Sequence, residues 1–335
     1  MKPIVHTRDL RKVFRRPQRR PGIAGALRAL LSPVYAETVA VSNVSMDVTA
    51  GELVGYIGPN GAGKSTTIKM LTGILVPSSG VVEVAGFVPW RRRSENARNI
   101  GVVFGQRSQL YWDLPLRESF DLLRAIYDIP RRRYLENLHE FIEILEMDDF
   151  LDTPVRQLSL GQRMRGDFAA ALLHDPRIVY LDEPTIGLDV VAKEAIREFI
   201  LRINQQRATT VLLTTHDLAD VERLCRRIVI IDRGSLLYDG TVEELKDAYG
   251  QTRRLTVVFA EPQREPAIEG ATLEHVERNV ARFAFERATI SADRLIAAVA
   301  ARYPVQDVSI EEPDLEGIIR RIYLEGISPP EVLRS

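Results

Sequence analysis

A nine-residue stretch, GPNGAGKST at residues 58–66, constrains this chain more than any other feature of its sequence. An apolar segment (51–58) leads into it, and apolar residues at helical spacing follow it at Ile68, Leu71 and Leu75. Gly58, Gly63, Lys64 and Ser65 fit the pattern G-x-x-x-x-G-K-[ST], whose glycines let successive backbone N–H groups turn toward phosphate. The stretch therefore predicts a strand, a phosphate-binding loop and a helix, in that order.

The loop is expected to surround the phosphates of a nucleotide with its own backbone. Lys64 would neutralise the outer phosphates, and the hydroxyl group of Ser65 would coordinate Mg²⁺. The residues expected to bind the nucleotide here are Gly58, Pro59, Asn60, Gly61, Ala62, Gly63, Lys64, Ser65 and Thr66. A glycine turn without any ligand is the alternative interpretation of the same pattern.

Apolar segments alternate with helical segments along most of the chain, which is typical of an α/β protein with a parallel sheet buried on both faces. Strands are predicted at 38–48, 99–105, 177–184, 209–216 and 227–240, and helices at 117–127, 131–146, 160–174, 190–206 and 217–225. After residue 248 the pattern changes to a small α+β domain over 249–335, which includes a helix at 291–303 capped by Ser291.

Polar residues end three of the predicted strands. Asp182 and Glu183 end the segment IVYLDEP, where burying two carboxyl groups costs desolvation free energy unless a cation lies nearby. Beside a Mg²⁺-phosphate site, Asp182 would hold the metal ion and Glu183 would polarise the attacking water. His216 and Gln106 also end apolar segments, but polar residues at strand ends are common, so neither is informative alone.

Six motifs follow one another in unbroken order: the phosphate loop, Gln106, LSLGQ (158–162), LDEP (181–184), GLD (187–189) and TTHD (214–217). Over residues 38–240 this series resembles the ATP-binding cassette (ABC) family, the motor subunits of ABC transporters. The resemblance implies a phosphate-loop cassette that binds ATP and Mg²⁺ and hydrolyses ATP. It implies metal ligation by Ser65, Gln106 and Asp182, and catalytic roles for the side chains of Lys64, Gln106, Glu183 and His216.

The LSLGQ motif begins a helix whose first turn contains no acidic residue, so its N-terminus could accept an anion. In the family, two cassettes face each other head to tail. The resemblance therefore implies that Ser159, Gly161 and Gln162 contact the γ-phosphate of ATP bound to a second copy. It also implies that Asp189 crosses the interface. The family usually has glycine where this chain has Leu160.

The family stacks an aromatic side chain on adenine, and two residues of this chain are candidates. Tyr35 precedes Gly58 by the spacing typical of the family, whereas Phe14, in LRKVF, matches the family's local sequence. We favour Tyr35 from the sequence. Phe14 directly precedes a basic insertion, residues 15–36, and Tyr35 lies near its end. The insertion is expected to contact the membrane surface or a permease, or to be solvated.

Composition restricts the class of protein further. The net charge of −1 argues against nucleic-acid binding by bulk electrostatics, and a single cysteine, Cys225, excludes an intrachain disulfide. The chain shows neither a signal-peptide pattern nor about 18 consecutive apolar residues. These features favour a cytoplasmic protein. The resemblance to ABC subunits further implies a peripheral position on the inner membrane and two separate permease subunits, identical or different.

The resemblance divides the chain into an ABC cassette at 1–248, with a helical subdomain at about 107–160, and an accessory domain at 249–335. The accessory domain is similar to that of bacterial exporters of drugs, antibiotics or hydrophobic compounds. We therefore expect the homodimeric ATPase of such an exporter. Polysaccharide export, nutrient import, a soluble ABC protein acting on ribosomes or DNA, and a phosphate-loop kinase are the alternatives.

Overall fold

The computed structural model describes residues 2–17, 35–105, 107–249, 252–286, 289–311 and 315–325. Gln106 and most of the 15–36 insertion therefore lie outside the described residues. Contacts divide the chain into two units, the first ending at Asp239 and the second beginning at Gly240. This division falls earlier than the boundary at residue 248 expected from the sequence, so the helix Val242–Tyr249 belongs to the second unit.

The first unit contains two sheets. The strands are β1 (Val5–Pro17), β2 (Tyr35–Val48), β3 (Leu53–Ile57), β4 (Ser79–Val84), β5 (Ile100–Phe104), β6 (Ile178–Asp182), β7 (Thr210–Thr215), β8 (Arg227–Asp232) and β9 (Ser235–Thr241), of which the last two residues fall past the division at Asp239. An antiparallel sheet has the order β2-β1-β4, and a six-stranded sheet has the order β5-β6-β7-β3-β8-β9. The strands from β5 to β8 of the larger sheet are parallel, so their carboxyl ends share one edge.

Helices connect the parallel strands, as expected for an α/β fold. They are α1 (Lys64–Leu71), α2 (Arg93–Asn99), α3 (Leu116–Ile126), α4 (Arg131–Ile144), α5 (Leu160–Leu172), α6 (Val190–Arg207) and α7 (Leu218–Leu224). The expected helical subdomain corresponds to α3, α4 and two short 3₁₀ turns that precede α5. Strands β3, β6 and β7 carry mostly buried side chains, which explains their continuous apolar sequences.

One expected strand needs correction, and one observed strand was not expected. The segment 227–240 is not one strand, because Arg233 and Gly234 form a turn with φ of 45° and 79° that separates β8 from β9. Strand β1 was not predicted, since its many arginine and lysine residues hide the alternation of its buried positions. It pairs with β2 as far as Pro17 opposite Tyr35, so both ends of the insertion belong to one antiparallel ladder.

The second unit is an antiparallel sheet with helices. Its elements are α8 (Val242–Tyr249), β10 (Thr252–Phe259), β11 (Ala271–Glu277), β12 (Val280–Glu286), α9 (Ala292–Arg302), β13 (Val305–Glu311) and α10 (Leu315–Glu325). The order β11-β12-β10-β13 is that of a ferredoxin-like unit, although the segment 260–270 forms no helix. Ser291 occupies the N-cap position of α9 as predicted, but its side chain makes no capping hydrogen bond there.

A helix that spans a bilayer must be about 20 residues long and predominantly apolar. Among the helices of the described residues, none is long and apolar enough to span a membrane.

Candidate functional site

The predicted phosphate loop links β3 to α1 at the carboxyl edge of the parallel sheet. Gly61 and Gly63 have φ of 85° and 106°, a region that side chains disfavour. A Cβ atom on Gly58 would lie 2.5 Å from the carbonyl oxygen of Ile231, and one on Gly63 would lie 2.5 Å from that of Ala40. The glycines of the motif are therefore required both by backbone conformation and by close contacts.

The remaining residues of the phosphate loop lie between the end of β3 and the first turn of α1. Pro59 and Asn60 are exposed, whereas Ala62 is buried and its carbonyl accepts a hydrogen bond from Gly234 N at 2.9 Å. Thr66 lies half-buried in the first turn of α1. Together these positions leave one side of the turn open to solvent, where a ligand can approach.

Lys64 is the buried cation of the site, with 7% of its surface exposed. Its Nζ donates to the carbonyl oxygens of Gly58 at 2.6 Å and Pro59 at 3.4 Å, and it lies 3.8 Å from Glu183 Oε1. A buried ammonium group needs compensating partners. Here those partners are two carbonyl oxygens of the phosphate loop and the carboxylate of Glu183, so the positive charge lies within the loop that is expected to hold the phosphates.

Three oxygen-bearing side chains meet next to this lysine. Ser65 Oγ donates to Asp182 Oδ1 at 3.2 Å, and Thr214 Oγ1 donates to the same oxygen at 2.6 Å. Carboxylate and hydroxyl oxygens are the ligands that Mg²⁺ prefers, usually with water and substrate phosphates completing the shell. Ser65 and Asp182 thus form a donor set that fits Mg²⁺. Thr214 belongs to the TTHD motif, but no role at the site was predicted for it from the sequence.

Glu183 and His216 form a pair at the same edge of the sheet. His216 Nδ1 is 2.6 Å from Glu183 Oε2, and Glu183 N donates to Thr214 O at 2.9 Å. Glu183 has φ of 55°, a conformation uncommon for residues other than glycine and frequent at functional sites. The structure therefore brings Lys64, Glu183 and His216 together, and their catalytic roles stay predictions.

Strand β5, which lies next to β6, borders this edge of the site. Gly105 N donates to Asp182 O at 2.8 Å, and a Cβ atom on Gly105 would lie 2.1 Å from Glu183 O. Gln106 follows immediately, but it lies outside the described residues. Its predicted part in metal binding and catalysis therefore stays a prediction.

The LSLGQ motif begins α5 with a reciprocal capping box. Ser159 Oγ accepts a hydrogen bond from Gln162 N at 3.2 Å, and Gln162 Oε1 accepts one from Ser159 N at 2.9 Å. The first N–H groups of a helix have no partner within it. Since the box uses Ser159 N and Gln162 N, the N–H groups of Leu160 and Gly161 and the Ser159 hydroxyl proton are left for an external anion.

Comparisons with known proteins agree with this arrangement. A family model described as "ABC transporter" matches residues 41–186. The chain is 35% identical over 216 residues to the Nod factor export ATP-binding protein I of Cupriavidus metallidurans. The aligned residues make up 64% of this chain and 70% of that protein. It is 31% identical over 298 residues to the daunorubicin resistance ATP-binding protein DrrA3 of Streptomyces coeruleorubidus, spanning 87% of this chain and 93% of that protein. The chain belongs to the ABC transporter family.

As an ABC subunit of the exporter-like subgroup, the chain binds ATP and hydrolyses it to drive transport. A solved dimeric cassette in a post-hydrolysis state, bound to ADP and Pi, has the same fold with a TM-score of 0.59. That structure is 24% identical and covers 71% of this chain and 98% of its own. The expected fold class, a phosphate-loop cassette, is confirmed.

At Leu160 the LSLGQ motif of this ABC subunit departs from the signature motif of the family, which usually has glycine at that position. Its side chain is 37% exposed and turns toward the segment before α6, since a Cβ atom on Gly187 would lie 3.1 Å from Leu160 Cδ2. Asp189 ends that segment and caps α6, accepting a hydrogen bond from Ala192 N at 2.8 Å. The leucine side chain is therefore placed against the GLD turn, while its N–H group stays at the helix start.

The register of β1 and β2 separates the two candidates for the adenine-stacking aromatic. Phe14 pairs with Thr38, which is two residues from Ala40 and therefore close to the phosphate loop. Tyr35, which is 51% exposed, is five residues from Ala40, or about 10 Å further along an extended strand than Thr38. This geometry favours Phe14, contrary to the preference for Tyr35 drawn from the sequence.

A buried ion pair that the motifs did not indicate supports the turn between Glu183 and Asp189. Asp220 is fully buried, accepts a hydrogen bond from Thr185 Oγ1 at 2.6 Å, and accepts another from Arg197 Nε at 2.7 Å. Thr185 lies between the two predicted site residues in sequence. The pair therefore fixes the backbone that presents both of them.

Proposed function

We propose that two copies of this ABC subunit bind two ATP molecules between them, on the cytoplasmic face of the inner membrane beneath two permease subunits. The relatives named for Nod factor export and daunorubicin resistance support an exporter of a drug-like or hydrophobic compound. The dimeric cassette with the same fold supports the pairing of two copies. Closure on ATP and reopening after hydrolysis would give the permeases their alternating access.

The observation that carries this proposal is the pair of complementary half-sites in one chain. Lys64 and Ser65 form a cationic, glycine-lined loop that fits the phosphates and Mg²⁺. Ser159 begins a helix with unpaired N–H donors and no acidic residue in its first turn. A helix N-terminus of this kind attracts phosphate. In a head-to-tail pair, the second copy's helix would close over the γ-phosphate.

Within each site the residues have separate tasks. Ser65 and Asp182 would hold Mg²⁺, together with Gln106, which follows β5 in the sequence, and the ion would neutralise charge on the phosphates. Glu183 would orient the attacking water and accept its proton, while His216 fixes the carboxylate from the other side. Lys64 would balance the charge of the outer phosphates. Phe14 would stack on adenine.

Exposed aromatic side chains give the permease a place to bind. Trp112 is 53% exposed and Tyr111 is 41% exposed, whereas Leu110 between them and α5 is buried. Arg163 lies over the Trp112 ring at 5.7 Å. Exposed aromatics beside an arginine are typical of protein interfaces, so we assign this surface to a cytoplasmic segment of the permease.

The experiment compares Glu183→Gln with Glu183→Gln/Ser159→Arg by analytical ultracentrifugation, with and without Mg²⁺-ATP. Glu183→Gln should dimerise with ATP, because hydrolysis is blocked and the closed state persists. The added arginine at the helix start should abolish dimerisation while nucleotide binding by the monomer stays unchanged. Undiminished ATP-dependent dimerisation would contradict the proposal.

A further inference from the structure

A buried carboxylate outside the nucleotide site connects α5 to the segment that follows Gln106. We call α5 the signature helix, because it begins at the LSLGQ motif. Asp167 lies in α5 with 4% of its surface exposed. Its Oδ1 accepts hydrogen bonds from Ser108 Oγ and from Gln109 N, each at 3.0 Å. Gln109 Nε2 also donates to the backbone carbonyl of Asp167 at 3.1 Å. None of the motifs in the sequence includes this aspartate.

Further contacts hold the 107–114 segment to the signature helix and to the turn before it. Arg156 N donates to Trp112 O at 3.0 Å, and Arg156 Nη1 donates to Asp113 Oδ1 at 2.6 Å. Leu110 packs against Gly166, where a Cβ atom would lie 3.1 Å from its Cδ1. Asp167 is the buried charge among these contacts, and it lies one residue from Gly166.

The same segment begins beside the catalytic edge of the sheet. Gly105 is in close contact with the backbone of Glu183, and Ser108 follows only three residues later. The described contacts thus run from Glu183 through the 107–114 segment to Asp167, and along α5 to Ser159. One end belongs to the ATP site of its own chain, and the other end belongs, under the proposed function, to the ATP site of the second copy.

We propose that Asp167 is a positioning residue that fixes the 107–114 segment to the signature helix, so that the chain directly after Gln106 is coupled to the helix that begins at Ser159. This inference rests on the proposed function, because it assumes the roles given there to Gln106 and Ser159. A permease segment bound at Tyr111 and Trp112 would then act on both half-sites at once.

Stability alone does not explain this carboxylate. Burial raises the pKa of Asp167 to about 6, although the hydrogen bonds from Gln109 and Ser108 and the charge of Arg163 oppose the shift. An ionised carboxylate with a raised pKa lowers the free energy of unfolding at neutral pH. Burial of the ionised carboxylate is therefore unfavourable for stability, and the two hydrogen bonds that hold the segment offset only part of that cost.

The test compares four variants of the full chain: Asp167→Ala, Asp167→Asn, Ser108→Ala and Asn137→Ala. Asn137, in α4, is the matched control. It is fully buried, and its Nδ2 donates at 2.9 Å to the carbonyl oxygen of Leu173, at the end of α5 opposite to Ser159. For each variant we measure the melting temperature, kcat, KM for ATP, and the Mg²⁺ concentration that gives half-maximal hydrolysis.

Asp167→Ala should lower kcat by about tenfold or more and raise the required Mg²⁺ concentration several-fold, because a small displacement of a catalytic group has effects of this size. Its KM for ATP should change little. Asp167→Asn keeps an oxygen acceptor and should retain kcat within about threefold, since a neutral hydrogen bond replaces a charged one. Asn137→Ala should lower the melting temperature without changing the Mg²⁺ requirement.

Equal values of kcat and Mg²⁺ requirement in Asp167→Ala and Asn137→Ala would overturn the inference. If Asp167→Ala does not fold, Ser108→Ala decides, because it removes one of the two hydrogen bonds and should lower kcat by about threefold. A value of kcat equal to that of the unsubstituted chain would then overturn it.

Gln106→Ala separates failure of the inference from failure of the proposed function. If Gln106→Ala raises the Mg²⁺ requirement while Asp167→Ala does not, the inference is wrong and the role of Gln106 stands. If Asp167→Ala lowers kcat while Gln106→Ala has no effect, the positioning role of Asp167 is supported and the role proposed for Gln106 is wrong.

Discussion

His216 Nδ1 lies 2.6 Å from Glu183 Oε2, while the backbone N–H of Glu183 is bound to Thr214 O at 2.9 Å. The carboxylate is thus held by its neighbour at the end of β7, and its own backbone is fixed by the same strand. The exposed fractions of the two side chains are 60% for His216 and 21% for Glu183. Water can therefore reach a carboxylate whose orientation is already set.

Glu183→Gln should lower kcat by about 10²–10⁴-fold, since the amide cannot accept the proton of the attacking water. ATP binding should persist, because Lys64 and the phosphate loop are unchanged. Steady-state phosphate release and equilibrium binding of a fluorescent ATP analogue measure the two effects. Turnover near that of the unsubstituted chain would exclude Glu183 as the base.

His216→Ala removes the partner that orients Glu183 and should lower kcat by about 10²-fold, the usual effect of misplacing a catalytic group. The double variant Glu183→Gln/His216→Ala should be about as slow as Glu183→Gln alone, because residues acting as a unit are not additive. Additive losses in this double-mutant cycle would show that His216 acts independently of Glu183.

Gly105→Ala should abolish hydrolysis, because its Cβ atom would lie 2.1 Å from Glu183 O and must displace that backbone. Gly86→Ala is the control, since its Cβ atom would meet no atom within 4 Å and only the positive φ of 88° opposes it. The control should lose about 1 kcal/mol of stability and keep its kcat. Normal hydrolysis by a folded Gly105→Ala chain would contradict the close contact.

The pH dependence of stability should reveal the raised pKa of Asp167. A carboxyl group whose pKa is about 6 in the folded chain and 3.8 otherwise stabilises the fold when protonated. That contribution is fully present below about pH 4 and is lost as the pH rises through about 6. The unfolding free energy of the unsubstituted chain relative to Asp167→Asn should therefore fall by roughly 2–3 kcal/mol between these values, as measured by urea denaturation. A constant difference would contradict the shift.

The phosphate loop and the signature motif could be predicted because their geometry is local in sequence. Gly63 lies at the left-handed position before α1, and Ser159 forms the capping box with Gln162, three residues away. Gly166 was harder to explain, since glycine weakens a helix. The structure supplies the reason, because Leu110 and Leu116 pack onto the helix where a Cβ atom would lie 3.1 Å and 2.8 Å from them.

The contacts that the sequence did not reveal join residues far apart in the chain. Asp167 binds Ser108, and Asp220 binds Thr185, and neither pair has a recognisable spacing. The register of β1 and β2, which favours Phe14 over Tyr35, is likewise determined by no local pattern. Sequence patterns indicated which residues form the site, whereas the long-range packing that positions them came from the structure.

The central claim is that the signature helix of one copy closes the phosphate loop of the other. It is tested by mixing an Asn60→Cys chain with a Ser159→Cys chain, both also carrying Glu183→Gln, under mild oxidation. The native Cys225 will not compete, because it is 5% exposed and burial raises the pKa of its thiol. We predict a covalent dimer that forms only when both chains and Mg²⁺-ATP are present. Absence of that dimer with ATP, or a link within a single chain carrying both cysteines, would contradict the shared site.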